Sequence, residues 1–388
     1  MNIRQYTSIA DRRNALEKMT GTSFSHIGSY SLDEKTASSR HCENMIGVTQ
    51  VPMGVAGPLY ITHVSGNTGH EYYIPLSTTE GALVASVNRG CKAITECGGA
   101  VTDSHAVGAT RGPVFRVKNL QESRRLYEYV KTHKRALEEV ASKTSHHLTL
   151  HNILTRGVGR YRYIRFVFDT QDAMGMNMVT IASEAIAAYI ERETGIACLA
   201  VAGNFDIDKK PAWLNFIENR GTKAWAEVTI PKHILKNVLK TTARDIYDVW
   251  LAKCMIGSAM SGSMGFNAQY ANIVAAMFLA TGQDLGHIGE GSMGITTAEV
   301  VDNHDLYISV YLPDLMVGTV GGGTALATQE EALRLLGIAG GKDGSHAAVF
   351  AEIIGAAVLA GEISLLASLS QGTLAKAHEV LARGGKRP

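Results

Sequence analysis

The segment Ser77-Thr-Thr-Glu-Gly-Ala-Leu-Val-Ala-Ser-Val-Asn-Arg-Gly-Cys-Lys92 carries the strongest local signal for the fold of this chain. Ser77 and Glu80 have the spacing of a capping box, in which each side chain bonds the backbone N–H of the other residue. Apolar residues then recur at helical spacing. The pattern predicts a long helix that ends near Cys97, where two glycines follow.

The segments on either side of this helix differ in character and suggest a division of the chain. Residues 1–42 are polar and charged with a helical pattern, which predicts a small helical N-terminal domain. Residues 43–111 begin with short β-branched runs between glycines and prolines, which predict strands and tight turns. Residues 205–388 carry Ala-rich helical patterns between glycine loops. We expect 43–111 and 205–388 to form one large domain.

Residues 112–204 form a separate unit in this interpretation. Strand-like runs begin at Val114, Tyr163 and Cys198, and helix-like runs span 120–141 and 178–194. Two consecutive β-α-β patterns predict a compact α+β unit of the split β-α-β type. Because helical and mixed patterns resume on both sides, we predict that this unit is inserted into the large domain. The predicted fold class is therefore mixed α/β (α+β).

Bulk composition excludes several classes of protein. The 388 residues include 37 basic and 36 acidic side chains, and this balance gives no electrostatic footprint for nucleic acid. The five cysteines are widely spaced without a Cys-x-x-Cys pair, so we expect reduced thiols, no metal site and a cytoplasmic protein. The N-terminus lacks the apolar stretch of a signal peptide. Residues 353–369 are apolar but contain Glu362, and they predict a buried helix, with no membrane partner.

Three glycine motifs are candidates for a nucleotide site. Gly289-Glu-Gly-Ser-Met-Gly294 has Gly-x-Gly-x-x-Gly spacing, but it follows a helical pattern and leads into a strand-like run, the reverse of a Rossmann loop. Asp172-Ala-Met-Gly-Met-Asn-Met178 would let a flat ring approach the backbone. Gly321-Gly-Gly-Thr324 suits an anion at a helix N-terminus. A plain turn is the alternative interpretation of the last two.

Four ionisable residues are candidates for chemistry, and each has a structural alternative. Glu80 is explained by the capping box. Lys209 lies in a charged turn before Pro211, and Asp284 lies where a helical pattern ends. His378 lies in Lys376-Ala-His-Glu, which is typical of an exposed helix end. Taken singly, these local contexts favour structural roles.

Taken together and in order, these segments resemble the hydroxymethylglutaryl-CoA (HMG-CoA) reductase family. The matching runs are 43–47, 52–58, 77–92, 110–113, 172–178, 203–211, 257–260, 271–274, 282–284, 318–324 and 374–378. The Met-Gly-Met-Asn-Met and Asp-Lys-Lys forms are similar to the biosynthetic class I enzymes. The resemblance implies a large domain around a central long helix and an inserted ferredoxin-like domain that binds the nicotinamide nucleotide. It also implies active sites between two subunits of a homodimer or higher homo-oligomer.

The same resemblance implies a four-electron reduction of HMG-CoA to mevalonate and free CoA by two NADPH, with NADH possible and no metal. Lys209 matches the cation that stabilises the oxyanion formed by the first hydride. His378 matches the acid that protonates the departing thiolate, and Glu80 matches the acid of the second reduction. Asp284 matches the carboxylate placed between Lys209 and Glu80. These four residues form the predicted catalytic set.

The resemblance also assigns binding residues. The residues that match substrate-binding positions are Arg111, Asp208, Lys210, Lys253 and Asn272, and Arg111 is favoured because arginine pairs bidentately with carboxylates. The residues that match CoA contacts are Ser86, Asn88, Arg89 and Lys240. The residues that match the nucleotide site are Ser145, His146, Asp172, Met174, Gly175, Met176, Asn177, Met178, Gly321 and Gly322.

Two positions depart from the family pattern. Ala202 stands where many members have serine, which removes one potential hydrogen bond to substrate. His146 stands at a position often held by arginine, near the expected site of the NADPH 2′-phosphate, and histidine is ordinarily mostly neutral above about pH 6.5. The alternative functions are NAD-dependent mevalonate oxidation, a CoA- or nucleotide-binding protein without catalysis, and an unrelated α/β oxidoreductase.

Overall fold

The computed structural model describes residues 7–20, 23, 25, 28–66 and 68–373. Its helices are α1 (Ile9–Thr20), α2 (Glu34–Arg40), α3 (Leu83–Glu96), α4 (Leu120–Thr132), α5 (Lys134–Ser142), α6 (Met176–Thr194), α7 (Trp213–Glu218), α8 (Lys232–Ile234), α9 (Ala243–Trp250), α10 (Ser258–Ser261), α11 (Tyr270–Thr281), α12 (Ile288–Gly291), α13 (Ala327–Leu335) and α14 (Ser345–Ser370). Its strands are β1 (Met53–His63), β2 (Thr68–Ser77), β3 (Ala100–Arg111), β4 (Val114–Arg116), β5 (Thr149–Val158), β6 (Tyr161–Asp169), β7 (Cys198–Ala200), β8 (Arg220–Ile230), β9 (Gly265–Phe266), β10 (Gly294–Val301) and β11 (Asp305–Leu315). Further helical turns are π-helical at Leu235–Leu239 and Leu251–Gly257 and 3₁₀ at Leu285–His287 and Gly322–Ala325.

A mixed sheet runs through the described residues. Its strands lie in the order β7-β4-β6-β3-β8-β11-β10-β9, while β1 pairs with β2 and β3, and β5 pairs with β6. β3 joins the two halves, because residues 101–108 pair with β8 and residues 109–111 pair with β6. The prediction of a mixed α/β fold is confirmed.

The helix predicted after residue 77 is present, but it begins later than a capping box implies. β2 continues through Ser77, which pairs with Met53, so Ser77 cannot act as a helix N-cap. α3 starts after Ala82, whose φ of 79° is left-handed and whose side chain caps nothing. The capping-box prediction is wrong, because the strand ladder takes Ser77. Glu80 is consequently exposed in the loop between β2 and α3.

α3 packs against α14, a helix of 26 residues. Gly90 permits the close approach, since a Cβ there would lie 1.9 Å from the backbone oxygen of Ala360. Among the described residues, α14 is the one helix long and apolar enough to span a membrane by length and composition, yet 89% of that stretch is buried inside the protein. The prediction of a buried helix over 353–369 is confirmed.

The elements from β4 to β7 share a hydrophobic cluster of their own, in which Phe115 and Ile186 are fully buried. Their strands lie in the antiparallel order β7-β4-β6-β5, and the chain runs β-α-β-β-α-β when α4 and α5 count as one. The helix predicted over 120–141 is interrupted at His133. The sequence pattern also misses β5, because Leu150 is the only fully buried residue of that strand and its apolar alternation is weak.

Candidate active site

Glu80 lies in the exposed loop that links β2 to α3. Its backbone N–H donates to Thr78 Oγ1 (2.9 Å), and its Oε1 lies 3.5 Å from Nδ2 of Asn272. Asn272 is in the first turn of α11. The buried carboxylate of Glu362 fixes that helix start, because it accepts two backbone N–H groups just before α11. The structure therefore brings two predicted site residues together and leaves the Glu80 carboxylate accessible.

Lys209 and Asp284 form an ion pair, with Nζ 2.7 Å from Oδ2. Asp284 also accepts the N–H of Gly286 at 2.9 Å. A side chain at Gly286 would disturb this geometry, since a Cβ there would lie 2.8 Å from Cδ of Lys209. Burial raises the pKa of Asp284, but the hydrogen bonds from Lys209 and Gly286 lower it below its ordinary value. A fixed ammonium of this kind suits stabilisation of an anionic oxygen.

The loop that carries Lys209 has a strained backbone. Asn204, Ile207 and Lys209 have φ values of 62°, 50° and 59°, a left-handed region that is uncommon for residues other than glycine and least favourable for β-branched ones. Asn215 holds the loop by donating to the backbone oxygen of Ile207 at 2.9 Å. Strained conformations persist where the surroundings over-determine them, and they cluster at functional sites.

A buried charge network adjoins the Lys209–Asp284 pair. Arg220 is fully buried, with Nη1 2.6 Å from Oε1 of Glu290 and Nη2 2.9 Å from Oδ1 of Asp208. His287 is also fully buried, and its Nδ1 is hydrogen-bonded to Oε1 of Glu290.

Sequence reasoning missed Arg220, His287 and Glu290. The usable signal is the spacing Asp284-x-x-His-x-x-Glu290, because residues three apart share one face of a helical turn. That spacing by itself does not distinguish a solvated helix face from a buried cluster. Burial of the Arg220 guanidinium is decided by strand pairing and helix packing far away along the chain.

Asp208, His287 and Glu290 offer potential ligand atoms within 4.8 Å of one another, close enough to hold a metal ion. Arg220 donates to two of these carboxylates and already supplies positive charge there. A divalent cation would lie against the guanidinium, and like charges at that distance repel strongly. We therefore interpret the cluster as an ion-pair network, and the lack of a metal stays a prediction.

Burial shifts the pKa values of Glu290 and His287 in opposite directions. Burial raises the pKa of Glu290 to about 7, against the lowering effect of Arg220. Burial, helped by Arg220, lowers the pKa of His287 to about 4. Asp314, which is completely buried nearby, has a pKa well above its ordinary value because of burial and the charge of Glu290. The pair therefore favours a proton on the carboxyl group over a charged imidazole.

We expect Glu290→Gln and His287→Gln to give the protein opposite dependences of stability on pH. The folded state holds the Glu290 proton more tightly than the unfolded state, so ionised Glu290 destabilises the fold as pH rises from 4.5 to about 7. The folded state holds the His287 proton less tightly, so stability falls as pH drops from 6.5 to about 4. In the unmodified protein the two contributions oppose each other where these windows overlap.

Urea unfolding measured at a series of pH values between 4.5 and 7 tests this expectation, the limits being the ordinary pKa of Glu290 and its shifted value. Relative to the unmodified protein, Glu290→Gln should lose stability toward the acidic end, because only the His287 contribution remains. His287→Gln should lose stability toward neutral pH, because only the Glu290 contribution remains. Parallel curves for all three proteins would contradict the assignment.

The resemblance favours Arg111 as the carboxylate anchor, whereas the structure engages its donors elsewhere. Nε and Nη2 donate to Thr180 Oγ1 at 3.1 and 2.8 Å. Nη1 lies 3.2 Å from both Asp206 Oδ2 and Asp208 Oδ2. A bidentate pair with a substrate carboxylate would require these bonds to be exchanged. In this arrangement Arg111 instead orients Asp208, the neighbour of Lys209.

Lys210 and Lys253 are exposed, as is Ala202. Lys210 Nζ donates to Asn204 Oδ1 (3.2 Å) and to the backbone oxygen of Asp208 (3.3 Å). Lys253 lines an open groove of about 720 Å³, whose other walls come from the end of the Lys209 loop and from the start of α11. Grooves of this size accommodate small-molecule ligands.

α11 separates the two groups of predicted catalytic residues. Asn272, beside Glu80, is in its first turn, and Asp284 follows its last residue, Thr281. At 1.5 Å of rise per residue, the helix places Asn272 and Thr281 about 14 Å apart. Asp284 therefore contacts Lys209 but lies at the opposite end of α11 from the Glu80 of the same chain. His378 lies outside the described residues.

Three predicted CoA contacts tie α3 to its neighbours. Ser86 Oγ donates to Ser364 Oγ (3.0 Å), and Arg89 Nη2 donates to the backbone oxygen of Ser364 (2.5 Å). Asn88 Oδ1 accepts the N–H of Gly57 at 2.9 Å. Burial lowers the pKa of Arg89, which stays a cation at any working pH. These contacts give each residue a structural task, and their roles toward CoA stay predictions.

The fourth predicted CoA contact, Lys240, is exposed just after the π-helical turn that follows α8. It lines a groove of about 640 Å³ together with Lys232, Lys236 and Arg244. Asp245 also lines this groove, but the four cations outnumber it. A local excess of positive charge of this kind attracts phosphate groups even when the whole chain is nearly neutral.

The two predicted nucleotide loops lie side by side. Ala173 forms a parallel bridge with Val320, and the N–H of Thr319 donates to the backbone oxygen of Asp172 at 2.8 Å. The buried Asp172 carboxylate caps the start of α14, where an acid is favoured by the helix dipole. It accepts the N–H groups of Lys342, Gly344 and Ala347. Its contact with a nucleotide stays a prediction.

The glycines of these loops differ in their surroundings, since Gly175 is packed against Thr170 whereas Gly321 and Gly322 border open space. Gly175 has φ 81°, and a Cβ there would lie 2.4 Å from Thr170 Cγ2. Gly321 and Gly322 have φ 78° and 54°, are exposed, and would place a Cβ in open space. By contrast, the literal Gly-x-Gly-x-x-Gly copy ends α12 and opens β10, so its rejection as a Rossmann loop is confirmed.

The remaining predicted nucleotide residues surround the start of α6. Met174 and Met178 are half-buried, Asn177 is exposed, and Met176 is buried with its Sδ 3.1 Å from Nη2 of Arg220. Ser145 Oγ donates to Sδ of Met178 at 3.7 Å, and the adjacent His146 is exposed. The segment that carries His146 therefore meets the methionine loop.

A family model described as "Hydroxymethylglutaryl-coenzyme A reductase" matches residues 8–383, nearly the whole chain. The chain belongs to the HMG-CoA reductase family. Two archaeal members illustrate the likeness. The 3-hydroxy-3-methylglutaryl-coenzyme A reductase of Pyrococcus abyssi is 52% identical over 378 residues, 96% of this chain and 92% of that protein. That of Methanothermobacter thermautotrophicus is 50% identical over 376 residues, 96% of this chain and 93% of that protein.

Solved HMG-CoA reductase structures share the fold. A class II 3-hydroxy-3-methylglutaryl-CoA reductase from Streptococcus pneumoniae, bound to NADPH in open conformations, superposes with a TM-score of 0.69. The match covers 95% of this chain and 99% of that one at 19% identity. At that identity the likeness shows the HMG-CoA reductase fold alone.

Proposed function

We propose that this chain reduces HMG-CoA to mevalonate and free CoA with NADPH, as a class I enzyme of the mevalonate pathway. The observation that carries the proposal is the Lys209–Asp284 ion pair, an exposed ammonium fixed 2.7 Å from a carboxylate on a strained loop of an HMG-CoA reductase family member. The class assignment is supported by the Met-Gly-Met-Asn-Met and Asp-Lys-Lys forms.

The residues of the chain divide the acid–base work between them. NADPH, when bound, would supply one hydride to the thioester carbon and a second NADPH one to the aldehyde carbon that remains after CoA leaves. Lys209 donates to the carbonyl oxygen as it becomes an alkoxide. The C–S bond of the resulting hemithioacetal then breaks, and His378 protonates the departing CoA thiolate. Glu80 donates the proton that the aldehyde oxygen takes up in the second reduction.

Binding of HMG-CoA falls to cations at the edges of the two grooves. Lys210 and Lys253 are exposed and supply charge to the HMG carboxylate, while Asn272 lies beside Glu80 to orient the reacting end. Arg111 keeps Asp208 in place through its ion pair. CoA phosphates bind at Lys240 and its neighbouring cations, near the α3 residues Ser86, Asn88 and Arg89.

The spacing of the catalytic groups supports active sites between two subunits of a homodimer. Within one chain, Glu80 and Lys209 lie at opposite ends of α11, whose length of about 14 Å between Asn272 and Thr281 is too great for both to reach one carbon. A second copy supplies the missing group. The Glu80 end of one subunit then faces the Lys209 end of the other.

The inserted unit 112–204 is the nucleotide-binding domain, with a ferredoxin-like topology, within a large domain of 43–111 and 205–388 that follows a helical domain of 1–42. Its separate hydrophobic cluster and its β-α-β-β-α-β order support this division. Gly321 and Gly322 leave open backbone for a flat ring, which supports a nicotinamide site beside the two loops. All five cysteines are free, which supports a cytoplasmic location.

The test is the rate of NADPH oxidation by the purified protein with HMG-CoA, measured beside the rate with NADH at the same concentration. We expect two nucleotides consumed per thioester, with free CoA and mevalonate released. Faster turnover with NADH would overturn the NADPH preference and point to the exposed His146 as the reason. No turnover by a folded, dimeric sample that still binds CoA would overturn the reductase proposal in favour of a binding protein.

A further inference from the structure

His287 lies fully buried among three carboxylates, and within the described part of the chain one of its ring nitrogens is hydrogen-bonded and the other is not. Nδ1 is hydrogen-bonded to Oε1 of Glu290. Nε2 lies 3.7 Å from Oδ2 of Asp284 and 3.9 Å from Oδ1 of Asp208, and among the described residues it has no hydrogen-bond partner. Buried polar atoms are nearly always paired in folded proteins, so an unpaired nitrogen aimed at two carboxylates requires a reason.

The imidazole ring of His287 is held at Nδ1, the nitrogen that does not face Asp284. Arg220 anchors Glu290 through an Nη1–Oε1 distance of 2.6 Å, and Glu290 in turn holds Nδ1. A shift of less than about 1 Å would bring Nε2 within ordinary hydrogen-bond distance of Asp284. The charged or titratable groups that face the ring from all sides are Glu290, Asp284, Asp208, Lys209, Arg220 and Asp314.

Asp284 needs a donor to replace Lys209 when Lys209 turns to the substrate. In the structure its carboxylate is held by Lys209 Nζ and by the N–H of Gly286. In the reduction proposed above, Lys209 must also donate to the oxygen on the reacting carbon, and this weakens its pull on Asp284. Nε2 of His287, 3.7 Å from Oδ2 of Asp284, is placed to replace it.

We propose that His287 is a positioning residue, which donates from Nε2 to Asp284 and keeps that carboxylate in place while Lys209 engages the substrate oxygen. The inference rests on the proposed reductase function, and it adds Glu290 as the group that orients the ring. Burial raises the pKa of Glu290, which agrees with a carboxyl proton donated to Nδ1. Nδ1 is then an acceptor, and Nε2 carries the hydrogen that faces Asp284.

Two amide substitutions separate the two nitrogens. In His287→Asn the amide reaches about as far as Nδ1, so it keeps the contact with Glu290 and withdraws the donor from Asp284. In His287→Gln the longer amide reaches about as far as Nε2 and keeps a donor for Asp284. Both variants are uncharged and polar, so each is the control for the other. Thermal unfolding of both variants checks that they fold.

We expect His287→Asn to lower kcat by about tenfold to a hundredfold, the range of one hydrogen bond to a charged group, with KM for HMG-CoA changed less than about twofold. The acidic limb of its kcat–pH profile should move to higher pH, because an Asp284 carboxylate without its donor protonates more easily. His287→Gln should stay within about threefold of the unmodified enzyme, with its acidic limb unmoved. A residue that served only to fill space would not shift that limb.

Unchanged kcat and pH profile in His287→Asn overturn the inference, and so does an equal loss in the folded Gln variant. A readout independent of activity is the ¹⁵N spectrum of histidine-labelled protein, with His287 assigned by its disappearance in His287→Gln. A proton on Nε2 at neutral pH is expected, and a bare Nε2 overturns the inference. If the unmodified protein does not turn over HMG-CoA, the reductase function is overturned instead. The nitrogen spectrum would then still show whether Nε2 of His287 carries a proton.

Discussion

Glu80→Gln is expected to lower kcat for HMG-CoA reduction by at least about a hundredfold, and by up to about ten-thousandfold, while the protein keeps its fold. The magnitude is that of a positioned proton donor. The side chain of Gln has nearly the same shape but cannot give up a proton. Glu80 is exposed and does not cap α3, and its side chain makes one long hydrogen bond, to Asn272, among the described residues, so its replacement removes little structural contact. Steady-state kinetics with NADPH give the rate.

The matched control is Glu71→Gln, a change of the same chemistry at an exposed acid on β2 of the same hairpin. It should leave kcat within about twofold and the unfolding temperature unchanged. If Glu80→Gln loses activity and unfolds at a lower temperature than Glu71→Gln, the residue has a structural role that the loop geometry does not support. Near-normal activity of Glu80→Gln would remove Glu80 from the mechanism.

Arg220→Met is expected to reduce the free energy of unfolding by about 3–5 kcal/mol, the cost of removing one partner from a buried ion pair. Arg220 is fully buried and binds Glu290 and Asp208, and Asp314 lies in the same buried surroundings. Without the guanidinium these acids are left without their cation in a site of low polarity. Methionine roughly preserves the volume, so the loss reports charge and hydrogen bonding more than packing. Urea unfolding at neutral pH measures it.

The comparison is Arg244→Met on α9, where the arginine pairs with Asp248 at 2.9 Å in solvent, with the two side chains 71% and 53% exposed. Exposed pairs of this kind contribute about 0–1 kcal/mol. Equal losses for the two variants would mean that the Arg220 network does not hold the fold together. Arg220→Met should also slow turnover, because Asp208 and Glu290 position the Lys209 loop and His287.

Most helices and strands were within reach of sequence patterns. The apolar spacing of 178–194 predicts α6, which spans Met176–Thr194, and the Ala-rich run of 353–369 predicts the buried helix α14. Local patterns fail where a non-local partner competes. The Ser77–Glu80 capping box does not form, because Ser77 pairs with Met53 in the sheet. β5 forms from a segment with a weak apolar pattern, because it can pair with β6.

The residues of the site also differ in whether the sequence predicts them. Ordered motifs identify Glu80, Lys209 and Asp284 by resemblance, because the chemistry requires these residue types at particular places. The pairing of Lys209 with Asp284 depends on a turn at Gly286 that no spacing reveals. The sequence does not predict that Arg220, His287 and Glu290 are buried together, since charged side chains are ordinarily solvated.

The sequence by itself determined the family, the mixed α/β class and the identity of the candidate acids and bases, because side-chain chemistry and periodicity are local properties. Only the tertiary structure decided which of these groups meet. It placed Glu80 and Lys209 at opposite ends of α11, turned the donors of Arg111 toward Asp206 and Asp208, and buried His287 beside Asp284. Burial and side-chain contacts depend on residues distant along the chain, and they determine the pKa values and the ion pairs of the site.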